Sequence, residues 1–161
     1  MQPGNIYSIP LFLSNVSGLK SFARYDFAQE GLEFCFARVI EDRKGSGILI
    51  EVFDVRGNID TPVSKIISCS RLFNPVFVAG EAIKKKRWRL VASTDYDKEM
   101  NSYYSEIAFL IGPRDNRSFW KGGSERPFNK LVGMDCEELI VWPAVQIEAR
   151  IIRELEAVDN A

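Results

Sequence analysis

The feature that most constrains the fold is a long predicted hairpin over residues 33–54, EFCFARVIEDRKGSGILIEVFD. Apolar residues recur there with a period of two on both arms, which is the spacing of β-strands. Phe34 and Phe36 alternate with Cys35, so both faces of the first arm are apolar, and the second arm repeats the pattern. A strand pair with one wet face would alternate apolar with polar residues. We therefore expect a hairpin buried on two sides, with a turn at 41–47 closed by Gly-Ser-Gly.

Further strands and one helix are predicted around this hairpin. Apolar runs and alternation predict strands at 4–13, 76–78, 87–93, 103–111 and 137–142. Pro10 predicts that the first of these lies at a sheet edge, because its nitrogen cannot donate to a ladder. Apolar residues spaced by three or four over 144–158 predict an amphipathic helix. The chain is thus expected to be one domain over 1–161 of the α+β class, mostly antiparallel β, with a strongly twisted sheet or partly open barrel of about seven strands packed by a C-terminal helix.

Other segments are less regular. Residues 14–31 fit either a short helix or a strand and are interpreted as an excursion over the sheet. The apolar residues at 63–68 fit the spacing of either a helix or a strand. A single helical turn is expected near 81–84. Two stretches, 94–102 and 112–129, are rich in polar residues, glycine or proline and are predicted to be irregular loops.

The composition removes several kinds of chemistry. The chain contains no histidine, which is the commonest general base and the commonest transition-metal ligand. Cys35, Cys69 and Cys136 show no C-x-x-C spacing and are interpreted as reduced thiols, with Cys35 and Cys136 in apolar runs. The acids at 95–99 lack the glycine and the final glutamate of a calcium loop. We therefore expect no catalytic residue, no metal, no cofactor and no enzymatic activity.

The expected location is the cytoplasm. No stretch approaches the roughly 18 uninterrupted apolar residues of a membrane helix. The first residues, MQPGNIYSIPLFL, lack the basic region of a signal peptide.

Residues 135–161 hold seven acidic and two basic side chains, a balance that suits a basic partner.

Four residues inside the apolar strands are interpreted as structural. Arg38, Glu51 and Asp54 interrupt otherwise apolar runs. Buried charges must pair, so Arg38 is expected to pair with Glu51 or Asp54 across the hairpin. Trp88 alternates with two arginines, which is the pattern of a core-facing ring on a half-buried strand.

A second interpretation is a small-barrel module that binds nucleic acid. The run at 84–89, KKKRWR, places cations beside an aromatic ring, and phosphate contacts next to stacking rings are typical of such surfaces. Trp88, Phe119 and Trp120 would then stack on bases. Solvated lysines beside a buried tryptophan explain the same run without nucleic acid.

Four stretches carry a resemblance to a known family. They are GNIYSIPL at 4–11, FARVI at 36–40, IEVFD at 50–54 and RWRLV at 87–91. In this order they resemble the bacterial immunity-protein family numbered 26, found beside polymorphic secreted toxins. The likeness covers residues 4–93; the segment 14–31 is longer than the family's connection, and no motif is recognised beyond residue 94.

The resemblance implies a role and a partner. It implies a cytoplasmic, non-enzymatic inhibitor in bacterial competition, such as contact-dependent growth inhibition or type VI secretion. The partner would be the C-terminal effector domain of one cognate toxin. Many such toxins are nucleases with basic clefts, so carboxylates of the inhibitor would mimic phosphates.

The two long polar stretches are the expected toxin-binding surface. Asp95, Asp97 and Glu99 would supply charge for encounter, and Phe119 and Trp120 would be aromatic anchors. The competing interpretation is that both rings cover the sheet. The acidic face of the terminal helix, around Glu148, Glu154 and Glu156, is the next choice.

Overall fold

The computed structural model describes residues 1–16, 20–128 and 136–161. They group into two compact units: unit 1 is Met1–Asp95 with Val141–Ala161, and unit 2 is Tyr96–Ile140. The described residues form ten strands in two mixed sheets and one long C-terminal helix, and neither sheet closes into a barrel. The predicted α+β class is confirmed. The prediction of a single domain stays a prediction.

Unit 1 is built on a six-stranded sheet. In spatial order its strands are β10 (Val141–Trp142), β4 (Val76–Val78), β3 (Ile48–Gly57), β2 (Phe34–Asp42), β1 (Asn5–Pro10) and β5 (Arg89–Ser93). Neighbouring strands are antiparallel except β10 and β4, which are parallel. The predicted hairpin is therefore confirmed as β2 and β3, and it lies in the middle of the sheet.

Both faces of the hairpin are buried, as the alternation requires. One face carries Cys35, Ala37 and Val39 and packs against the C-terminal helix, and we call this the helix-side core. The opposite face carries Phe34 and Phe36 and packs under residues 12–16, residues 22–32 and a short helix, and we call this the loop-side core. Period-two alternation of apolar residues on both faces thus corresponds to a sheet covered on two sides.

The expected edge position of the first strand is wrong. β1 lies between β2 and β5 and pairs with both. Pro10 is the last residue of β1, opposite Phe34, so its missing N–H falls at the end of the ladder and costs little. The next residue, Leu11, donates its N–H to the carbonyl of Glu33.

The described part of 14–31 crosses the loop-side core without regular helix or strand. Phe22, Tyr25 and Phe27 form an aromatic cluster there, with ring centroids 4.8 to 6.4 Å apart. The Arg89 guanidinium lies 4.2 Å from the centre of the Phe27 ring and donates to the carbonyls of Phe22 and Tyr25, each at 2.7 Å. This arginine holds the excursion onto the sheet.

The helices are short except for the last one. They are α1 (Val63–Ser68), α2 (Glu81–Lys84), α3 (Lys98–Ser102) and α4 (Ala144–Asp159). Residues 63–68, whose apolar spacing fits either a helix or a strand, form the helix α1. α2 is the predicted single helical turn. α4 confirms the predicted terminal helix and buries Ile147 and Ile151 in the helix-side core.

Two strand predictions need correction. The strand predicted from residue 87 begins at Arg89, so Trp88 lies before it, and Leu90 within the strand is 55 % exposed. A bulge between Ile6 and Tyr7 shifts the register of β1 and β5, and this outer strand does not follow a simple alternation. The strand predicted at 137–142 is two short strands in different sheets, since Glu137–Glu138 joins unit 2 and Val141–Trp142 joins unit 1.

Unit 2 contains a four-stranded sheet. In spatial order its strands are β8 (Ser124–Pro127), β7 (Ser118–Lys121), β6 (Ala108–Ile111) and β9 (Glu137–Glu138). The predicted irregular loop 112–129 therefore holds a β-hairpin over its described residues, and the strand predicted from 103 begins at Ala108. Gly122 and Gly123 turn this hairpin with φ of 57° and 93°. Two positive φ values in a two-residue turn match strand twist, so the Gly-Gly pair is a hairpin signal.

A buried ion pair joins the start of β5 to the terminal helix. Glu148 in α4 accepts from Arg87 Nε at 2.9 Å and Arg87 Nη2 at 2.6 Å, and its Oε1 also accepts from Trp88 Nε1 at 2.7 Å. Arg87 donates further to the carbonyls of Val16 at 3.0 Å and Leu13 at 3.1 Å. Arg87, Trp88 and Glu148 are all buried. Glu148 was expected on the exposed acidic face of the terminal helix, and that placement is wrong.

Replacing Glu148 tests this network. Glu148→Ala strands a fully buried guanidinium and removes the acceptor of Trp88, so we expect a loss of about 3 to 5 kcal/mol in the free energy of unfolding. The exposed Glu156 of the same helix is the matched control, and Glu156→Ala should change stability by less than about 0.5 kcal/mol. Urea unfolding followed by tryptophan fluorescence measures both. Equal effects of the two substitutions would contradict a structural role for the pair.

Candidate functional site

The acidic stretch at 95–99 is built around a short capped helix rather than a loop. Asp97 is the N-cap of α3, and its Oδ1 accepts from the backbone N–H groups of Glu99 at 3.0 Å and Met100 at 2.8 Å. The side-chain oxygen of Asn101 accepts from the Asp97 N–H at 2.8 Å. An aspartate directly before a polar helical turn is a helix-start signal. Asp97 therefore has a structural role, and its carboxylate remains exposed.

The other end of α3 is held by a second carboxylate. Glu99 accepts from the Ser105 backbone N–H at 3.0 Å and from the Ser105 hydroxyl at 2.6 Å. Tyr103 is the C-cap in the left-handed conformation, with φ 51° and ψ 49°, and its N–H donates to the carbonyl of Glu99 at 3.0 Å. A short 3-10 helix, Tyr104–Glu106, follows. Both ends of α3 are thus fixed by specific hydrogen bonds.

Large apolar side chains lie among these acids at the surface. Met100 is 79 % exposed and Tyr103 is 60 % exposed, the two highest values for large apolar residues in the described part of the chain. Asp97, Glu99 and Glu106 are exposed around them. We call Asp97, Glu99, Met100, Tyr103 and Glu106 the α3 surface. It belongs entirely to unit 2.

Phe119 and Trp120 do not lie at the surface. They occupy β7 and are 6 % and 3 % exposed. The Trp120 ring packs edge-on against Tyr104 at 5.8 Å between centroids and against Phe109 at 5.7 Å. The expectation that the two rings project from an irregular loop is therefore corrected: they lie on opposite faces of the strand β7, and both are buried.

The remaining acid, Asp95, belongs to unit 1, whereas α3 belongs to unit 2. Asp95 is exposed and is the last residue of the first segment of unit 1. The next residue, Tyr96, belongs to unit 2, where its hydroxyl lies 2.6 Å from the Ser102 hydroxyl. Two of the three acids predicted to supply charge, Asp97 and Glu99, are therefore placed at α3, where their carboxylates accept hydrogen bonds.

Sequence reasoning missed Met100 and Tyr103. Tyr103 was expected to begin the strand predicted at 103–111. The usable signal was the segment DKEMNSYY at 97–104, in which an N-cap aspartate is followed by good helix formers and then by two adjacent tyrosines. Only one of two such neighbours can face the core: Tyr104 is buried, with the Lys98 ammonium 3.9 Å from its ring centre.

The residues interpreted as structural lie in unit 1. Arg38 Nη2 donates to Glu51 Oε1 at 3.2 Å across the hairpin, and Arg71 Nε lies 3.7 Å from the same oxygen. The Arg38 guanidinium also lies 5.4 Å from the centre of the Phe53 ring. Asp54 is half-buried, and its N–H donates to the Ser70 carbonyl at 2.8 Å. The expected pairing of Arg38 with Glu51 is present.

The basic run at 84–89 lacks an available stacking ring. Lys84, Lys85 and Lys86 are exposed, whereas Arg87 is engaged with Glu148 and Trp88 is 1 % exposed. The Trp88 indole N–H is also directed to Glu148. A nucleic-acid surface of cations beside a stacking ring is therefore not formed by this run.

The Cys35 thiol is protected by burial, and no metal cluster is apparent in the described residues. Burial raises the pKa of the Cys35 thiol to about 12, and its Sγ donates to the Phe53 carbonyl at 3.2 Å, so Cys35 keeps its proton at neutral pH. Residues 1–16, 20–128 and 136–161 contain no group of three or more Cys, Asp or Glu side chains placed to hold a metal ion. None of the helices in these ranges has the length and apolar character needed to cross a membrane.

Comparison with known proteins identifies the family. The family model described as Immunity protein 26 matches residues 2–117. The chain therefore belongs to the Immunity protein 26 family, and the match extends beyond the resemblance at 4–93 to include α3 and β6. Searches among curated proteins and among solved structures each gave no match.

Asp97 offers a test of the local structure. Asp97→Ala removes the acceptor for two N–H groups and should cost about 0.5 to 2 kcal/mol, whereas Asp97→Asn keeps an N-cap oxygen and should cost only a few tenths. Hydrogen exchange at the Glu99 and Met100 amides measures the effect. If Asp97→Ala and Asp97→Asn accelerate exchange equally, the capping assignment is wrong.

Proposed function

We propose that this protein neutralises one cognate secreted toxin by binding its C-terminal effector domain in the cytoplasm and occluding the active site. The observation that carries the proposal is membership of the Immunity protein 26 family over residues 2–117. An immunity protein must engage its toxin quickly and release it slowly, which favours charge steering and a preorganised surface.

In this proposal the protein acts by binding and not by catalysis. The chain has no histidine, and the buried Cys35 thiol is protonated at neutral pH. Extensive burial of the sheet on both faces of unit 1 suits a rigid scaffold. Inhibition should accordingly be stoichiometric, without turnover or a cofactor.

The proposed target class is a nuclease. Asp97 and Glu99 present exposed carboxylates on α3, and Asp95 adds a third exposed carboxylate two residues earlier. Such carboxylates complement the cationic cleft with which a nuclease binds phosphates. The alternative, a nucleic-acid-binding module, lacks this support because Trp88, Phe119 and Trp120 are buried.

The test uses the C-terminal domain of the secreted toxin encoded beside this chain's gene. We expect co-expression of this chain to restore growth of cells that produce the toxin domain. In vitro, the purified chain should form a one-to-one complex and abolish cleavage of DNA or RNA. A complex with Kd below about 1 nM, equivalent to about 12 kcal/mol, is expected for a pair of this kind.

The controls separate the parts of the proposal. A toxin domain from an unrelated locus should not be inhibited. If the cognate domain neither binds nor is neutralised, the proposed function is wrong; if it is neutralised but cleaves no nucleic acid, only the nuclease assignment is wrong. Binding of labelled single-stranded DNA by this chain at low salt, lost steeply as salt rises, would instead support the nucleic-acid alternative.

A further inference from the structure

We propose that the α3 surface is the docking face for the toxin, with Tyr103 and Met100 as apolar anchors and Asp97, Glu99 and Glu106 as the charged rim. The occupant is a toxin domain whose contact surface has an apolar pocket bordered by Lys or Arg. This inference rests on the proposed function and names the part of the chain that performs it.

The conformation of Tyr103 is unfavourable for the fold alone. Its φ of 51° lies in the left-handed region, which the end of a helix usually fills with Gly or Asn. The neighbouring Tyr104 already supplies the ring that packs against Trp120. A tyrosine held at a strained position with its ring 60 % exposed therefore calls for a role outside folding.

Met100 extends the same apolar surface. It lies three residues before Tyr103, a spacing that brings side chains around one helical turn within reach of each other. At 79 % exposure it leaves nearly its whole side chain in water. Tyrosine is enriched at interface hot spots, and methionine is a flexible apolar side chain that adapts to a pocket.

The charge around these anchors defines the partner. Residues 94–106 contain four carboxylates and one lysine, a net charge of −3. That lysine, Lys98, is placed over the Tyr104 ring, at 3.9 Å from its centroid. An apolar centre with an acidic border complements a pocket bordered by cations. Leu90, an exposed apolar residue of unit 1, instead directly follows the basic run 84–89 in the sequence.

The α3 surface is also preorganised. Asp97 fixes the start of α3, and Glu99 fixes the segment after it through Ser105. The core beneath consists of Tyr104, Phe109 and Trp120. A surface that is ordered before binding loses less conformational entropy on association, which favours tight complexes.

The decisive variants separate binding from folding. Tyr103→Gly removes the ring and relieves the left-handed strain, so the melting temperature should not fall while toxin affinity drops at least about tenfold. Tyr103→Phe keeps the ring and should retain affinity within about threefold, because the proposed anchor is the apolar ring and not the hydroxyl. Leu90→Ala, an exposed apolar residue of unit 1, is the matched control and should leave affinity unchanged.

The rim charges are tested without loss of the helix caps. The triple variant Asp97→Asn, Glu99→Gln and Glu106→Gln keeps hydrogen-bond acceptors at the first two positions and removes three negative charges. Its association rate at low salt should fall about tenfold or more, and the dependence of that rate on salt should flatten. Stopped-flow binding to the purified toxin domain measures both.

The outcomes distinguish this inference from the proposed function. If the unaltered chain neutralises the toxin while Tyr103→Gly and the triple variant bind with unaltered kinetics, the docking face is elsewhere and the inference is wrong. If the unaltered chain does not bind the toxin, the proposed function itself fails. Loss of binding in Tyr103→Gly with an unchanged melting temperature supports the inference.

Discussion

The architecture of unit 1 depends on a buried charge that the terminal helix neutralises. The Arg87 guanidinium has left water completely, and Glu148 together with the carbonyls of Leu13 and Val16 replaces its hydration. A buried pair of this kind contributes little net stability compared with an apolar substitute, but losing one partner is costly. We infer that its effect is to specify one arrangement, in which the helix, the segment before β5 and the chain leaving β1 are all in place together.

The central hairpin was predictable because its chemistry is local. Alternation of Phe34 and Phe36 with Cys35 and Ala37 fixes which side chains share a face, and apolar residues on both faces require two covering layers. What covers each face is decided by residues distant in sequence, so neither the interior place of β1 nor the buried Arg87 was visible. An arginine beside three lysines has the same local pattern whether it is solvated or paired across 61 residues.

The candidate site was predicted only in part. The acids of α3 were identified by their charge, and the structure adds that Asp97 and Glu99 also fix the two ends of the helix. The aromatic anchors were misplaced, because Phe119 and Trp120 belong to a hairpin with a Gly-Gly turn in a stretch that was predicted to be an irregular loop. Tyr103 is exposed in a left-handed conformation at the helix end, whereas its neighbour Tyr104 is buried, and which of two adjacent tyrosines is buried cannot be told from the local pattern.

Hydrogen–deuterium exchange of this protein, alone and saturated with its toxin domain, shows directly whether the toxin docks on the α3 surface. We expect amides in residues 96–106 to exchange more slowly in the complex, while amides of β2 and β3, already held in the centre of a buried sheet, do not change. Slower exchange confined to other segments, such as residues 84–86 or the terminal helix, with residues 96–106 unaffected, would contradict it.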